Sequence, residues 1–333
     1  MTYKIEELEL KDESIEEQIR IREIFLDLKN KARNNQHLSE HEKYYLSFYI
    51  RNSLIDTDDE KDFPCLENEI FKRKYLSYWY DLTGTSIYEK AQKGAKVRIP
   101  TNEVEEDIIF LKNEAEKWFD IIQESNHKSE LLKQISKETR TQLKTLNNLS
   151  EFKNDEFIKG SFYYRNKRWS ILLLSKYIYL YCLKIIEEIE DVQKDFPFTI
   201  KIGNYQIEFN EYSLIHILMR HYAEKAKNYS TNKSYHNPSF QPNQLISDLE
   251  DIFIKISPHI TNIENPIVFE HNKQLYEIWH EEQTKQIKGT GNVKFRRLET
   301  FYPITNSKRI QEIKSLYTKV KIVPEIYFFK YCC

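Results

Sequence analysis

FPFTIKIGNYQIEFN, residues 196–210, is where the chain changes its period. Apolar and polar residues alternate on both sides of Gly203-Asn204, a two-residue turn signal, so the stretch predicts a β-hairpin. Everything before it reads as helix. ESIEEQIRIREIFLDLKNKARN (13–34) sets Ile21, Phe25 and Leu28 at spacings of four and three. Ser39 and Glu42 make an S-x-x-E capping box before KYYLSFYIRNSL. After a break at DTDDEKDFPCLEN (56–68), helical patterns resume and end with a helix over 168–194.

Beyond the hairpin the elements alternate. A helix is expected over 211–227 and a second over 244–256. Three strands follow in series: NPIVFEH (265–271), KQLYEIWHEEQTK (273–285) after a turn at His271-Asn272, and NVKFRRLETFYPI (292–304) after a turn in GTGN. A short helix (307–317) and one final strand, KIVPEIYFF (321–329), close the chain. The predicted class is α+β: an all-helical N-terminal domain, 1–195, then a small α+β domain, 196–333, built on an antiparallel β-meander.

With 40% hydrophobic and 31% charged residues, the 333-residue chain has the composition of a soluble globular protein. Only 6 glycines occur, and neither a G-x-G-x-x-G nor a P-loop signature is present, which excludes the common nucleotide-binding turns. Cys65, Cys182, Cys332 and Cys333 form no C-x-x-C pair and read as reduced thiols of a cytoplasmic protein. No signal peptide is evident at the N-terminus, and the apolar run 170–186, carrying Lys176 and Lys184, reads as a buried helix and not a membrane span. Residues 197–333 hold 18 basic against 14 acidic side chains, while the whole chain has a net charge of −2. A mildly basic unit behind an acidic one fits a polyanion binder joined to a helper domain, or chance variation among surface charges.

The candidate site lies in SLIHILMRHYAEKAK (213–227). Residues four apart on a helix stand about 40° apart, so His216 and Arg220 share one face, and His221 and Lys225 another. His216 and His221, five apart, stand about 140° apart, poor geometry for joint metal chelation, and no metal or cofactor is expected. In the strand 292–304, alternation puts Arg296, Leu298, Thr300 and Tyr302 on one face and Arg297, Glu299 and Phe301 on the other. If the helix packs on the sheet, His, Arg, Thr and Tyr converge. That set suits cleavage of RNA without a metal. The 2′-hydroxyl is the nucleophile, histidine moves protons, arginine grips phosphate and a hydroxyl adds a hydrogen bond. His216, His221, Arg220, Thr300 and Tyr302 are the candidate catalytic residues; Lys225, Arg296, Arg297 and His280 are candidate substrate contacts.

The order hairpin, H-I-x-x-R-H helix (His216, Ile217, Arg220, His221), then a late strand with Thr300, Tyr302 and Pro303, resembles the phage-associated branch of the barnase–EndoU–colicin–RelE superfamily of metal-independent ribonucleases. The resemblance covers 197–333. It implies an endoribonuclease, a toxin or phage-defence effector, leaving 2′,3′-cyclic phosphate ends. RNA would be its substrate, with tRNA one candidate, and an inhibitory protein a further partner. Residues 228–243, a long polar insertion, depart from the pattern. The competing reading is a non-catalytic module that binds RNA or protein. A helical histidine is commonly a hydrogen-bonded packing residue, Arg297 can simply pair with Glu299, and Tyr302-Pro303 can simply end a strand. Arg33 to His37 resembles the R-x(4–6)-H signature of the HEPN ribonucleases but is one residue short, and KRKYLSYWY (72–80) and RNKRWS (165–170) read as solvated basic faces or RNA contacts.

Overall fold

The helical propensity of the first half and the alternation of the second produce an α+β chain. A computed structural model describes residues 2–11, 13–51, 64–79, 102–148, 162–192, 198–202, 205–222, 234–236, 240–260, 264–287 and 291–331. The Gly203-Asn204 turn, most of the 56–68 break, Lys225, Cys332 and Cys333 lie outside the described residues.

The chain divides into two compact units, and the division does not fall at residue 195. One unit is 1–118 with 161–173; the other is 119–160 with 174–333. The first is helical. Ile21, Ile24, Phe25 and Leu28 of helix Ile15–Arg33 bury against Tyr45, Leu46 and Ile70. The expected capping box forms: Ser39 Oγ accepts from the Glu42 backbone N–H (3.2 Å) and Glu42 accepts from the Ser39 N–H (2.8 Å).

The second unit takes helix Glu130–Asn148 from the stretch expected to be purely N-terminal. Leu131, Ile135, Leu143 and Leu146 make a buried stripe at helical spacing, and helix Glu211–Ile217 packs on this element. Helix Phe162–Val192 carries a segment, 164–189, long and apolar enough to cross a membrane by length and composition alone. Leu172, Leu173, Leu180, Cys182, Ile185 and Ile189 are buried in this structure, and the Ser175 hydroxyl meets that of Thr139 at 2.6 Å.

The sheet has seven strands: β1 (Phe198–Ile202), β2 (Tyr205–Phe209), β3 (Ile267–His271), β4 (Gln274–Ile287), β5 (Gly291–Pro303), β6 (Tyr317–Val323) and β7 (Ile326–Tyr331). Their order is β1-β2-β5-β4-β3-β7-β6. The expected meander is its centre, β3-β4-β5, all antiparallel. Two hairpins flank it. The β1–β2 hairpin docks on β5 through a short parallel pairing, Ile207 opposite Arg296 and Glu208 opposite Arg297. The other hairpin corrects the expectation of one final strand. Pro324 cannot donate to a ladder, the chain turns at Pro324-Glu325, and β6 and β7 pair antiparallel. Phe301, Tyr276 and Phe269 are fully buried and pack ring to ring, with centroids 5.4–6.0 Å apart. Helix Ser307–Leu316 sets Ile313 against Val268, Leu275, Ile304 and Phe329.

The β3–β4 turn is at Asn272-Lys273, one residue later than expected. Both have positive φ, 48° and 66°. A type I′ hairpin demands this, and a lysine pays roughly 1–2 kcal/mol to adopt it. Lys273→Gly is therefore expected to stabilise the protein by about 1 kcal/mol after glycine's greater unfolded-state entropy is allowed for. A urea midpoint unchanged or lowered would contradict the strain.

Candidate functional site

The site begins with a cap. Asn210 Oδ1 accepts from the Ser213 backbone N–H (3.2 Å) and starts helix Glu211–Ile217 directly after β2. The helix then widens into a π-turn, Leu218–Tyr222. Its i→i+5 hydrogen bonds place more residues in each turn, which narrows the angle between His216 and His221 from that of a regular α-helix. Leu214, Ile215, Ile217 and Leu218 are buried, leaving Tyr212, His216 and Arg220 partly exposed.

Because β2 pairs with β5 only at Arg296 and Arg297, the stretch of β5 from Leu298 onward has an edge that other groups can reach. His221 and His236 occupy it. The His236 ring donates from Nε2 to the Phe301 carbonyl (3.0 Å), and its backbone N–H bonds the His221 carbonyl (3.0 Å). His221 Nδ1 lies 2.8 Å from the Ser234 carbonyl. A carbonyl only accepts, so Nδ1 carries a proton and Nε2 of the neutral ring is a base. That Nε2 is 3.1 Å from the Thr300 hydroxyl. The imidazole also stacks on Tyr302, centroids 5.1 Å apart at 24°.

Tyr302 is held in turn by Glu277, a carboxylate only 2% exposed. The phenol donates to Glu277 Oε2 (2.7 Å), Arg309 Nε donates to Oε1 (2.6 Å), and Trp279 Nε1 donates to the phenol oxygen (3.0 Å). Burial, reinforced by the adjacent Glu277, pushes the Tyr302 phenol up to about 12. Neither Glu277, Arg309, Trp279 nor His236 was singled out from the sequence as part of a site. Only alternation could have pointed to the first: Glu277 and Trp279 bracket the buried Ile278 and share a face.

The pairing of β4 with β5 overturns the expected faces. Trp279 stands opposite Thr300, but His280 stands opposite Leu298, so Glu299 has no partner across the ladder. This β-bulge inserts one residue and reverses the alternation beyond it. Arg296 and Leu298 consequently share the face of His280, Ile278 and Phe301, while Thr300 and Tyr302 share the face of Arg297, Trp279 and Glu277. Arg296 is thus separated from Thr300, and Arg297 joins it. Arg297 covers the Tyr212 ring at 3.8 Å and pairs with Glu299 at 2.7 Å.

His280 is turned away from His221 altogether. It is 1% exposed, donates from Nε2 to the Glu264 carbonyl (3.0 Å), and its Nδ1 accepts from Arg296 (3.3 Å). Burial lowers its basicity below the ordinary histidine value of 6.5, and Arg296 acts in the same direction against the Glu264 carbonyl. The unfolded chain then binds a proton that folded His280 refuses. Stability from this group is complete above 6.5 and is lost as pH falls below that value toward the lowered one. His271, also lowered by burial, adds to the effect. The urea midpoint is expected to decline on the acid side of that value, and to decline less in His280→Gln. Parallel curves would assign the loss to other groups.

His216 and Arg220 line a cavity of about 330 Å³. Gln134, Lys137, Glu138, Thr141 and Gln142, one polar stripe of helix Glu130–Asn148, form its opposite wall. His216 stacks on Tyr212 (5.9 Å, 19°), and Arg220 reaches Glu138 at 3.6 Å. The structure therefore brings His221, Thr300 and Tyr302 into contact and sets His216 with Arg220 in a neighbouring cavity of the same unit. Among the described residues, no three His, Cys, Asp or Glu side chains gather so as to hold a metal ion. No family model, curated protein or solved structure matches the chain.

Proposed function

We propose that the second unit is a metal-independent endoribonuclease. It would cleave RNA by attack of the ribose 2′-hydroxyl, in the manner of the toxin and phage-defence effectors that its helix and late strand resemble. The observation that carries this reading is the presentation of His221. Its Nδ1–H is anchored on a carbonyl, its ring rests on Tyr302, and its basic Nε2 faces a hydroxyl at 3.1 Å. Thr300 holds the place that a 2′-hydroxyl takes when RNA binds. Nε2 accepts the 2′ proton, the oxygen attacks phosphorus, and the bond to the 5′-oxygen breaks. The leaving oxygen takes a proton from His216 in its imidazolium form. His216 lies five residues earlier, roughly 7.5 Å along a helix axis, and the π-turn between them narrows the angle that separates the two side chains. Arg220, on the helix of His216, and Arg297, on the face of Thr300, are the candidate cations, and a guanidinium suits the doubly charged phosphorane.

A non-catalytic module that binds RNA or a protein partner is the second reading. It is favoured by the 8% exposure of His221 and the engagement of both its nitrogens, since the same contacts dock the helix on β5. Incubating the full chain with RNA in EDTA decides between them. The expected products carry 2′,3′-cyclic phosphate; intact RNA that nevertheless binds, with steep salt dependence, supports the second reading.

A further inference from the structure

We propose that the cavity between helix Glu130–Asn148 and the helix beginning at Glu211 is a binding site for a single nucleotide, with the base against Tyr212 and His216 and the phosphate between Lys137 and Arg220. For the claim that an RNA strand supplies this nucleotide, it rests on the ribonuclease reading; the cavity's preference for a nucleotide does not.

The volume, about 330 Å³, falls in the range of small-molecule sites. Two chemistries meet there. Tyr212 and His216 form a near-parallel aromatic pair, and Arg297 lies over the Tyr212 ring at 3.8 Å, which helps fix that ring in place. A heterocyclic base stacks on such a surface. The second is cationic: Lys137 and Arg220 both line the cavity, and Glu138 is the single carboxylate among the described residues that line it. Arg220 does not spend its hydrogen bonds on that carboxylate. Its Nη2 stands 3.6 Å from Glu138, too long for a hydrogen bond, and its Nε–H is buried with no acceptor. A buried donor without an acceptor is costly, and a phosphate oxygen bound bidentately by the guanidinium would satisfy it. Gln134 already donates to the Tyr212 carbonyl (3.2 Å) and so ties the two helices together beside the cavity.

The test is equilibrium binding, by calorimetry, to the full chain carrying His221→Ala, so that turnover plays no part. Adenosine 5′-monophosphate and uridine 3′-monophosphate are expected to bind saturably. Inorganic phosphate and adenosine should each bind at least about tenfold more weakly, since each makes only half of the contacts. Lys137→Glu reverses one cation at an exposed position and should weaken the nucleotides by about tenfold or more. Thr141→Trp, also exposed, fills the cavity and should abolish binding. Absence of saturable nucleotide binding, phosphate binding as tightly as nucleotide, or affinity unchanged in Lys137→Glu and Thr141→Trp would each overturn the proposal. Because binding is read without cleavage, a protein that binds nucleotide but never cuts RNA overturns the ribonuclease reading and leaves the nucleotide site standing. One that cuts RNA but binds no nucleotide does the reverse.

Discussion

Glu277→Ala is expected to cost about 3–5 kcal/mol of stability, the loss that follows when one partner of a buried ion pair is removed. The carboxylate is 2% exposed and accepts from Arg309 Nε, the Tyr302 phenol and, at 3.4 Å, Trp279 Nε1. Alanine leaves the guanidinium and the phenol facing a cavity with no acceptor. Arg309 keeps Glu312 at 2.7 Å, and its side chain is 24% exposed, so the lower part of that range applies. Such a loss is a large share of a typical folding free energy of about 5–15 kcal/mol. Thermal or urea unfolding of the full chain, followed by tryptophan emission because Trp279 sits on the network, reads it directly. The double variant Glu277→Leu with Arg309→Met should be more stable than Glu277→Ala alone, since it removes both charges and leaves neither stranded. If Glu277→Ala melts with the parent, the carboxylate contributes nothing and the support assigned to Tyr302 disappears with it.

Periodicity made most of the architecture legible. The alternation around Gly203-Asn204 and in 265–304 gave the strands, and the helical patterns that resume after residue 68 include helix Glu130–Asn148, whose buried stripe is Leu131, Ile135, Leu143 and Leu146. Whether that helix belongs with its sequence neighbours or with the sheet depends on which apolar face meets which, and a stripe does not name its partner. Glu299 shows the other limit. A bulge is set by register against β4, so strict alternation placed Arg296 beside Thr300 when the ladder places Arg297 there. His221, Thr300 and Tyr302 were legible as chemistry, and they meet. His236 and Glu277 were not, because their importance lies in whom they hold: the open edge of β5 in one case and the Tyr302 hydroxyl in the other.

His221→Ala is expected to lower RNA cleavage by about 10²–10⁴-fold, the contribution of one positioned acid–base group. The same substitution also removes two hydrogen bonds and a ring contact, each worth about 1 kcal/mol, so lost activity alone would not separate catalyst from strut. Three measurements do. Imidazole in solution should restore part of the activity to His221→Ala, because it replaces a proton acceptor and not a packing contact. Thr300→Val should retain most of the activity, because its hydroxyl only fills the place of the 2′-oxygen in the free protein. The leaving group gives the sharpest contrast. A uridine 3′-phosphodiester of p-nitrophenol departs without protonation, so His216→Ala should cleave it nearly as the parent does while His221→Ala stays inactive; on RNA, both should fail. A base acts on every substrate with a 2′-hydroxyl, whereas an acid matters only when the departing oxygen needs a proton. RNA cleavage undiminished in His221→Ala would remove the proton acceptor on which the ribonuclease reading depends. The His221–Thr300 contact would then be a hinge pin between helix and strand.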